Sequence, residues 1–229
     1  MQNCSFEVVG TGSDGNCYLL NVGDQTLVIE AGVVFSKIKK ALNFDLSKVV
    51  GVLVSHEHGD HSNYTRDFIK FGKQVHCTKG TFEVLKIEKL KEHYMRSPFE
   101  IGLFKVTPFE VFHDAKEPCG FLIEFEGKRL VFITDTCDIK TRFKNIDYWI
   151  IEANYSNKKL ESSDLDIRLK KRIQDTHMSI DRCKTILEAH NATNALLIHA
   201  SNNHADKEEF IQKIPYAVIA ENGYKKTLD

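Results

Sequence analysis

The sequence predicts a layered α/β or α+β sandwich built from two β-rich halves, each closed by helices. Three observations carry this expectation. Short apolar runs of strand length recur in both halves, amphipathic helical stretches follow each set, and no Pro-rich or Gly/Ser-rich linker divides them. One domain over residues 1–229 with a shared core is expected, and 229 residues suffice to build it.

Taken in order, residues 6–9, 17–22 and 26–30 read as strands, with Gly23-Asp24 as the hairpin turn between the second and third. A helix over 35–42 and a strand over 49–54 follow. The middle of the chain alternates a helix over 64–71, a strand over 74–78 and a helix over 81–86. Strands over 100–112, 120–126 and 129–134 come next, the last two joined at Glu126-Gly127. Beyond a buried strand over 148–152 lies a charged helix over 164–174, in which Leu165, Leu169 and Ile173 recur every four residues. A helix over 179–190 opens on Ser179, a capping residue type. A strand over 195–199, a helix over 206–214 and a strand over 216–220 complete the series. The two halves are loosely similar in their order of elements, without a repeat of solenoid period.

Apolar residues at 42% and charged residues at 28% are ordinary for a folded soluble protein. Thirty-one Lys and Arg against 32 Asp and Glu give a net charge of −1, which excludes a global positive field but not a local basic patch. The first residues, Met-Gln-Asn-Cys-Ser-Phe, do not form a basic region followed by an apolar core, and no run of about 18 apolar residues occurs. A cytoplasmic protein with no membrane contact is the expectation. Six cysteines, Cys4, Cys17, Cys77, Cys119, Cys137 and Cys183, lack CxxC spacing and read as reduced thiols.

The densest chemical signal is Val52-Leu53-Val54-Ser55-His56-Glu57-His58-Gly59-Asp60-His61, an apolar strand followed by four metal-ligating side chains within six residues. Imidazole and carboxylate suit zinc and also accept manganese or iron, so the ligand types imply a metal without fixing it. Such a loop at a strand's C-terminal end faces the cleft where α/β sheets hold ligands. Four polar residues on a merely solvated loop is the bland alternative, and HxHxDH after an apolar β run is too specific for it.

These residues resemble the HxHxDH motif of the metallo-β-lactamase superfamily, and further matches follow in its order: His113 after Val111-Phe112, Asp135 in Ile133-Thr134-Asp135-Thr136, and His199 in Leu197-Ile198-His199-Ala200. The resemblance implies an αββα metallo-β-lactamase fold, two packed mixed sheets flanked by helices. It also implies two divalent ions, Zn2+ or Mn2+: His56, His58 and His113 on one, Asp60, His61 and His199 on the other, Asp135 bridging, and water between them activated to hydroxide. Glu30 stands where the superfamily usually has an Asp that supports the metal loop from behind; the extra methylene moves its carboxylate. His76, His93, His190 and His204 match no motif position and read as surface or packing residues.

A second set of matches resembles the YycJ-type exonuclease family: Gly12-Ser13-Asp14-Gly15-Asn16, Glu152-Ala153-Asn154, Leu169-Lys170-Lys171-Arg172-Ile173 and His177-Met178-Ser179. Wider relatives, ribonuclease Z and the phage anti-Pycsar enzymes, also attack phosphodiesters. The resemblance therefore implies a metal-dependent phosphodiesterase in which Asp60 and His177 are the catalytic candidates. By analogy with ribonuclease Z, His177 stabilises the phosphate or protonates the leaving oxygen. Ser13, Asn16, Glu152 and Asn154 are candidates for supporting the metal loop or contacting substrate, and the 12–16 loop reads either as a phosphate-contacting nest or as an ordinary turn. Lys170, Lys171 and Arg172 read either as backbone contacts or as a solvated helix face. Two substrates remain open. Near-zero charge and the lack of a long inserted arm lean towards a 3′,5′-cyclic nucleotide, with a homodimer partner closing a compact pocket; the local motifs favour a DNA exonuclease or RNA-processing nuclease. A silent metal- or nucleic-acid-binding module is the reading from another class.

Overall fold

In the computed structural model, which describes residues 2–87 and 90–229, two tight hairpins set the registers of two sheets. The first sheet begins with β1 (Cys4–Gly10), β2 (Cys17–Val22) and β3 (Gln25–Ile29), all antiparallel. The Val22↔Gln25 pair leaves only Gly23 and Asp24 in the turn, as the sequence indicates. Helix α1 (Phe35–Ala41) leads to β4 (Val49–Leu53), parallel to β3. Then come α2 (Gly59–Ser62), α3 (Thr65–Lys70), β5 (Val75–Thr78), α4 (Lys79–Leu85) and β6 (Lys91–His93). The second sheet repeats the scheme. Strands β7 (Phe99–Ile101), β8 (Phe104–Glu110), β9 (Cys119–Phe125) and β10 (Lys128–Ile133) are antiparallel, and Glu126 and Gly127, both at positive φ, form the last turn. Strand β11 (Tyr148–Glu152) is followed by α5 (Asn157–Ser162), α6 (Ile167–Thr176), α7 (Ile180–Ala189) and β12 (Ala195–Ile198). Helix α8 (Lys207–Lys213), β13 (Ala217–Ile219) and β14 (Lys225–Thr227) end the chain.

Among the described residues the strand orders are β14-β1-β2-β3-β4-β5-β6 and β13-β12-β11-β10-β9-β8-β7, each sheet antiparallel on one side and parallel on the other. The loose similarity of the two halves is thus a shared sheet topology. Phe6, Tyr18, Leu20, Leu53, Phe104, Phe121, Phe132 and Ile198 pack between the sheets. Phe35, Ile38 and Phe68 seat α1 and α3 on the outer face of one, and Ile180, Cys183, Leu187 and Phe210 seat α7 and α8 on the other. Full burial of each such side chain contributes about 1.5–3 kcal/mol, and the result is the expected αββα sandwich.

Several boundaries differ from expectation. The strand expected over 100–112 is a hairpin, broken at Gly102, whose φ of +55° turns the chain between β7 and β8. The charged helix over 164–174 starts later, at Ile167, because Asp166 caps it by accepting from the Arg168 N–H. Ser179 caps α7 as expected, accepting from the Arg182 N–H. Strands β6 and β14, three residues each, carry no readable alternation and exist through pairing with β5 and β1. The six cysteines are free. No helix of the described residues is long and apolar enough to cross a membrane.

Candidate metal centre

The candidate residues gather at the C-terminal ends of strands from both sheets, where the parallel arrangement leaves side chains facing the inter-sheet cleft. His56 lies three residues beyond β4, and α2 then turns Asp60 and His61 back towards it. His113 follows β8, Asp135 follows β10 and His199 follows β12. Three residues here sit at positive φ: Glu30 at 68°, Asp135 at 37° and His199 at 56°. Non-glycine residues in this region are strained, and all three are the first or second residue past a strand, where the chain is turned sharply to aim the side chain inward.

Among the described residues the predicted ligands form two clusters that face one carboxylate, and a third group, Asp135, Glu152, His177 and His199, overlaps the second. His56, His58 and His113 each offer a ligand atom within 4.8 Å of the others, as do Asp60, His61, Asp135 and His199. Asp135 faces both with different oxygens. Its Oδ2 lies 3.9 Å from His56 Nε2 and 3.5 Å from His113 Nε2, and its Oδ1 lies 3.3 Å from both His61 Nε2 and His199 Nε2. Asp60 Oδ2 completes the second cluster at 3.4 Å from His61 Nε2 and 3.6 Å from His199 Nε2. These separations fit a shared cation: two ligands at about 2.0–2.1 Å from one ion, at a tetrahedral angle, are about 3.3–3.4 Å apart.

Surrounding groups fix the rings. His113 Nδ1 pairs with the Thr176 carbonyl at 2.8 Å, which makes Nδ1 the protonated nitrogen and leaves Nε2 its lone pair. His56 Nδ1 is held by the Ser55 hydroxyl at 2.8 Å. Glu30, fully buried, places Oε2 3.5 Å from His61 Nδ1 and accepts from the Ser55 N–H, so the longer carboxylate still stands behind the metal loop. The Asn154 amide donates to the His199 carbonyl at 2.9 Å. Buried Glu152 is the hub: Oε1 pairs with His177 Nδ1 at 2.7 Å and His199 Nδ1 at 3.2 Å, while Oε2 accepts from the Thr136 and Met178 N–H groups. His177 ends α6 as its C-cap, and its ring stacks on His199 at 5.5 Å.

The 12–16 loop is turned inward. The Gly12 N–H donates to Asn16 Oδ1, the Gly15 N–H to the Gly12 carbonyl and the Asn16 N–H to the Asp60 carbonyl, which leaves these amides engaged rather than open to a phosphate. Asn16 Nδ2 approaches His61 Nε2 at 3.1 Å. Ser13 lies exposed on the turn, and its hydroxyl makes no hydrogen bond to the clusters among the described residues. Sequence reasoning missed Gly32. A Cβ there would meet the Asp60 carbonyl oxygen at 1.7 Å and the His61 nitrogen at 2.8 Å, so only glycine lets the 30–33 segment pass behind the metal loop. Gly32→Ala is expected to displace Asp60 and His61, lowering metal affinity at least tenfold in a competitive chelator titration and lowering the thermal midpoint by several degrees.

The electrostatics fit a cation. His56 Nε2 and His199 Nε2, both turned towards Asp135, are buried without a hydrogen-bond partner, an arrangement that costs free energy unless an ion takes the lone pairs. Burial, reinforced by neighbouring imidazoles, pushes His56 well below its ordinary range. Burial also acts against charging His199, but Asp135, Asp60 and Glu152 outweigh it and lift the group to about 10. Asp135 is pulled well below the carboxylate range, burial notwithstanding, by His199, His61 and His56. A metal on His199 must expel the proton that this raised affinity retains. Adding Zn2+ to the metal-free protein in weak buffer near pH 7.5 is expected to release protons, measurable with an indicator dye.

Residues 28–200, three quarters of the chain, match the β-lactamase superfamily domain. The chain belongs to that superfamily. Among curated relatives, the exodeoxyribonuclease WalJ of Streptococcus pneumoniae is 28% identical over 189 residues, covering 73% of this chain and 69% of the relative. The exodeoxyribonuclease YycJ of Bacillus anthracis is 25% identical over 183 residues, with the same coverages. The crystal structure of the metallo-β-lactamase fold protein YhfI from Bacillus subtilis superposes with a TM-score of 0.80 at 18% identity, covering 98% of this chain and 99% of that one. The architecture is the metallo-β-lactamase fold, and the protein is a metallo-hydrolase of this superfamily whose His/Asp clusters suit divalent-metal binding.

Proposed function

We propose that the protein is a binuclear-metal phosphodiesterase acting on the phosphodiesters of nucleic acid. His56, His58 and His113 hold one ion, Asp60, His61 and His199 the other, and Asp135 spans both. The observation that carries this reading is the division of labour within Asp135, one oxygen per histidine cluster. Two divalent ions held there supply Lewis acidity to phosphoryl oxygens and an activated water as nucleophile. The protein's own part is positioning and proton control. Glu30, Glu152, Asn154 and the Thr176 carbonyl lock the ligand rings, so the site does not reorganise as charge develops. Burial acts against a charged His177, yet the Glu152 carboxylate at 2.7 Å raises its proton affinity above the ordinary value. Because Nδ1 is engaged by Glu152, Nε2 is the nitrogen left to protonate the leaving oxygen.

A polynucleotide is favoured over a cyclic mononucleotide by two things: the relatives' names, and a basic helix beside the site that the net charge conceals. The small-nucleotide reading, with a second copy closing the pocket, rests on the overall charge of −1 and the lack of a long inserted arm. The metal-loaded protein is expected to hydrolyse bis(p-nitrophenyl) phosphate, to lose this activity on chelation, and to regain it with Mn2+ or Zn2+. Side-by-side assays on single-stranded DNA, RNA and 3′,5′-cyclic nucleotides, with products resolved by HPLC, should show release of mononucleotides from polymer. Cleavage confined to cyclic nucleotides would replace the polymer reading, and activity persisting in the metal-free protein would sink the mechanism.

A further inference from the structure

Helix α6 stands clear of the fold: of its ten residues only Thr176 is buried. It carries Arg168, Lys170, Lys171 and Arg172 against one carboxylate, Asp175, in a chain whose net charge is −1. A solvated face would account for cations anywhere on such a helix. It does not account for where two of them sit. Arg168, Arg172 and Thr176 are spaced by four residues and share one helix face. The inner end of that face is tied to the metal centre, because the Thr176 carbonyl accepts from His113 Nδ1 at 2.8 Å.

One turn further out, Arg172 donates to Asp114 Oδ2 through Nε at 2.9 Å and Nη2 at 2.8 Å, while Asp114 Oδ1 lies 3.4 Å from His113 Nε2. The guanidinium is therefore held a single carboxylate away from a predicted metal ligand. Asp114 takes two of its N–H donors; a guanidinium has five. Arg168 lies another turn out, about 6 Å along the axis. Its Nε donates to Asp166 Oδ1 at 3.1 Å, which leaves its terminal nitrogens, and its side chain is 89% exposed and that of Arg172 64%. That spacing is comparable to the separation of successive phosphates along an extended strand, and guanidinium is the side-chain group best matched to phosphate oxygens.

We infer that the Arg172–Arg168 edge of α6 is a phosphate track, on which a single-stranded polynucleotide lays the backbone phosphates beyond the one held at the metal centre. The inference rests on the phosphodiesterase reading. A mononucleotide carries no second phosphate to reach Arg168, so the track selects for polymer; Lys170 and Lys171, off this face, contribute a diffuse field. DNA and RNA share the phosphate chemistry and both should engage it.

The test uses metal-loaded wild type, Arg168→Ala, Arg172→Ala and the double variant, with retention of fold checked by thermal midpoint. Binding of phosphorothioate single-stranded DNA and RNA oligonucleotides is followed by fluorescence anisotropy across a salt series. The slope of log K against log[salt] is expected to shrink by about 0.7 for each arginine removed. In the double variant, kcat/KM for an oligonucleotide relative to that for bis(p-nitrophenyl) phosphate is expected to fall about tenfold. Unchanged slopes would overturn the track. So would equal losses on both substrates, which would mean that Arg172 acts only through Asp114 on His113. Wild type inert towards bis(p-nitrophenyl) phosphate would instead strike the phosphodiesterase reading, and the salt slopes would still report on the track.

Discussion

Asp135→Ala is expected to lower phosphodiester hydrolysis at least about 10³-fold while leaving the far-ultraviolet circular dichroism unchanged. The size follows from position. Among the described residues Asp135 is the carboxylate that faces both histidine clusters, so its removal withdraws charge from both proposed cation sites at once. Loss of metal-derived transition-state stabilisation costs several kcal/mol, and each factor of ten corresponds to about 1.36 kcal/mol. The fold should persist, because Asp135 lies in the loop beyond β10 and the inter-sheet core of Phe121, Phe132 and Ile150 does not depend on it. A fully active Asp135→Ala protein would refute the shared-carboxylate arrangement.

His177→Ala is expected to reduce kcat by about 10²–10⁴-fold on substrates with a poor leaving group, the range for loss of a general acid. The deficit should shrink on p-nitrophenyl esters, whose leaving oxygen needs no proton. A deficit independent of the leaving group would assign His177 to binding instead. Glu152 supplies a second readout through pH. Since Glu152 raises the proton affinity of His177, the protonated imidazole persists above its ordinary titration range, and activity that needs it falls as pH rises through the shifted value. In Glu152→Gln the carboxylate charge is gone, so the alkaline limb of the kcat profile should move to lower pH. A limb that does not move would detach Glu152 from proton transfer.

The metal loop was legible because strand and ligands are contiguous: Val52 to Val54 announce a buried strand, and four ligating groups follow within eight residues of its end at Leu53. His113, Asp135 and His199 were legible only through resemblance, since each is a lone polar residue after an apolar run. The support around them was partly visible, as with Glu30, Glu152 and Asn154, but not its wiring. Nothing in a one-dimensional pattern indicates that Glu152 joins His177 to His199, or that Arg172 reaches Asp114 across 58 positions. Gly32 was invisible for the same reason, because its constraint is a backbone approach from the metal loop. The positive φ values at Glu30, Asp135 and His199 run against local preference and exist only where the assembled fold imposes them. Lys170 to Arg172 read as one basic triplet, whereas the helix separates them onto different faces and joins Arg172 with Arg168.

Metal stoichiometry tests most directly whether Asp135 is shared between two cation sites. Wild-type protein reconstituted with Zn2+ or Mn2+, freed of loose ions and measured by inductively coupled plasma mass spectrometry, should hold two ions per chain, and Asp135→Ala should hold fewer. One ion per chain in the wild type, or two retained in Asp135→Ala, would contradict that sharing.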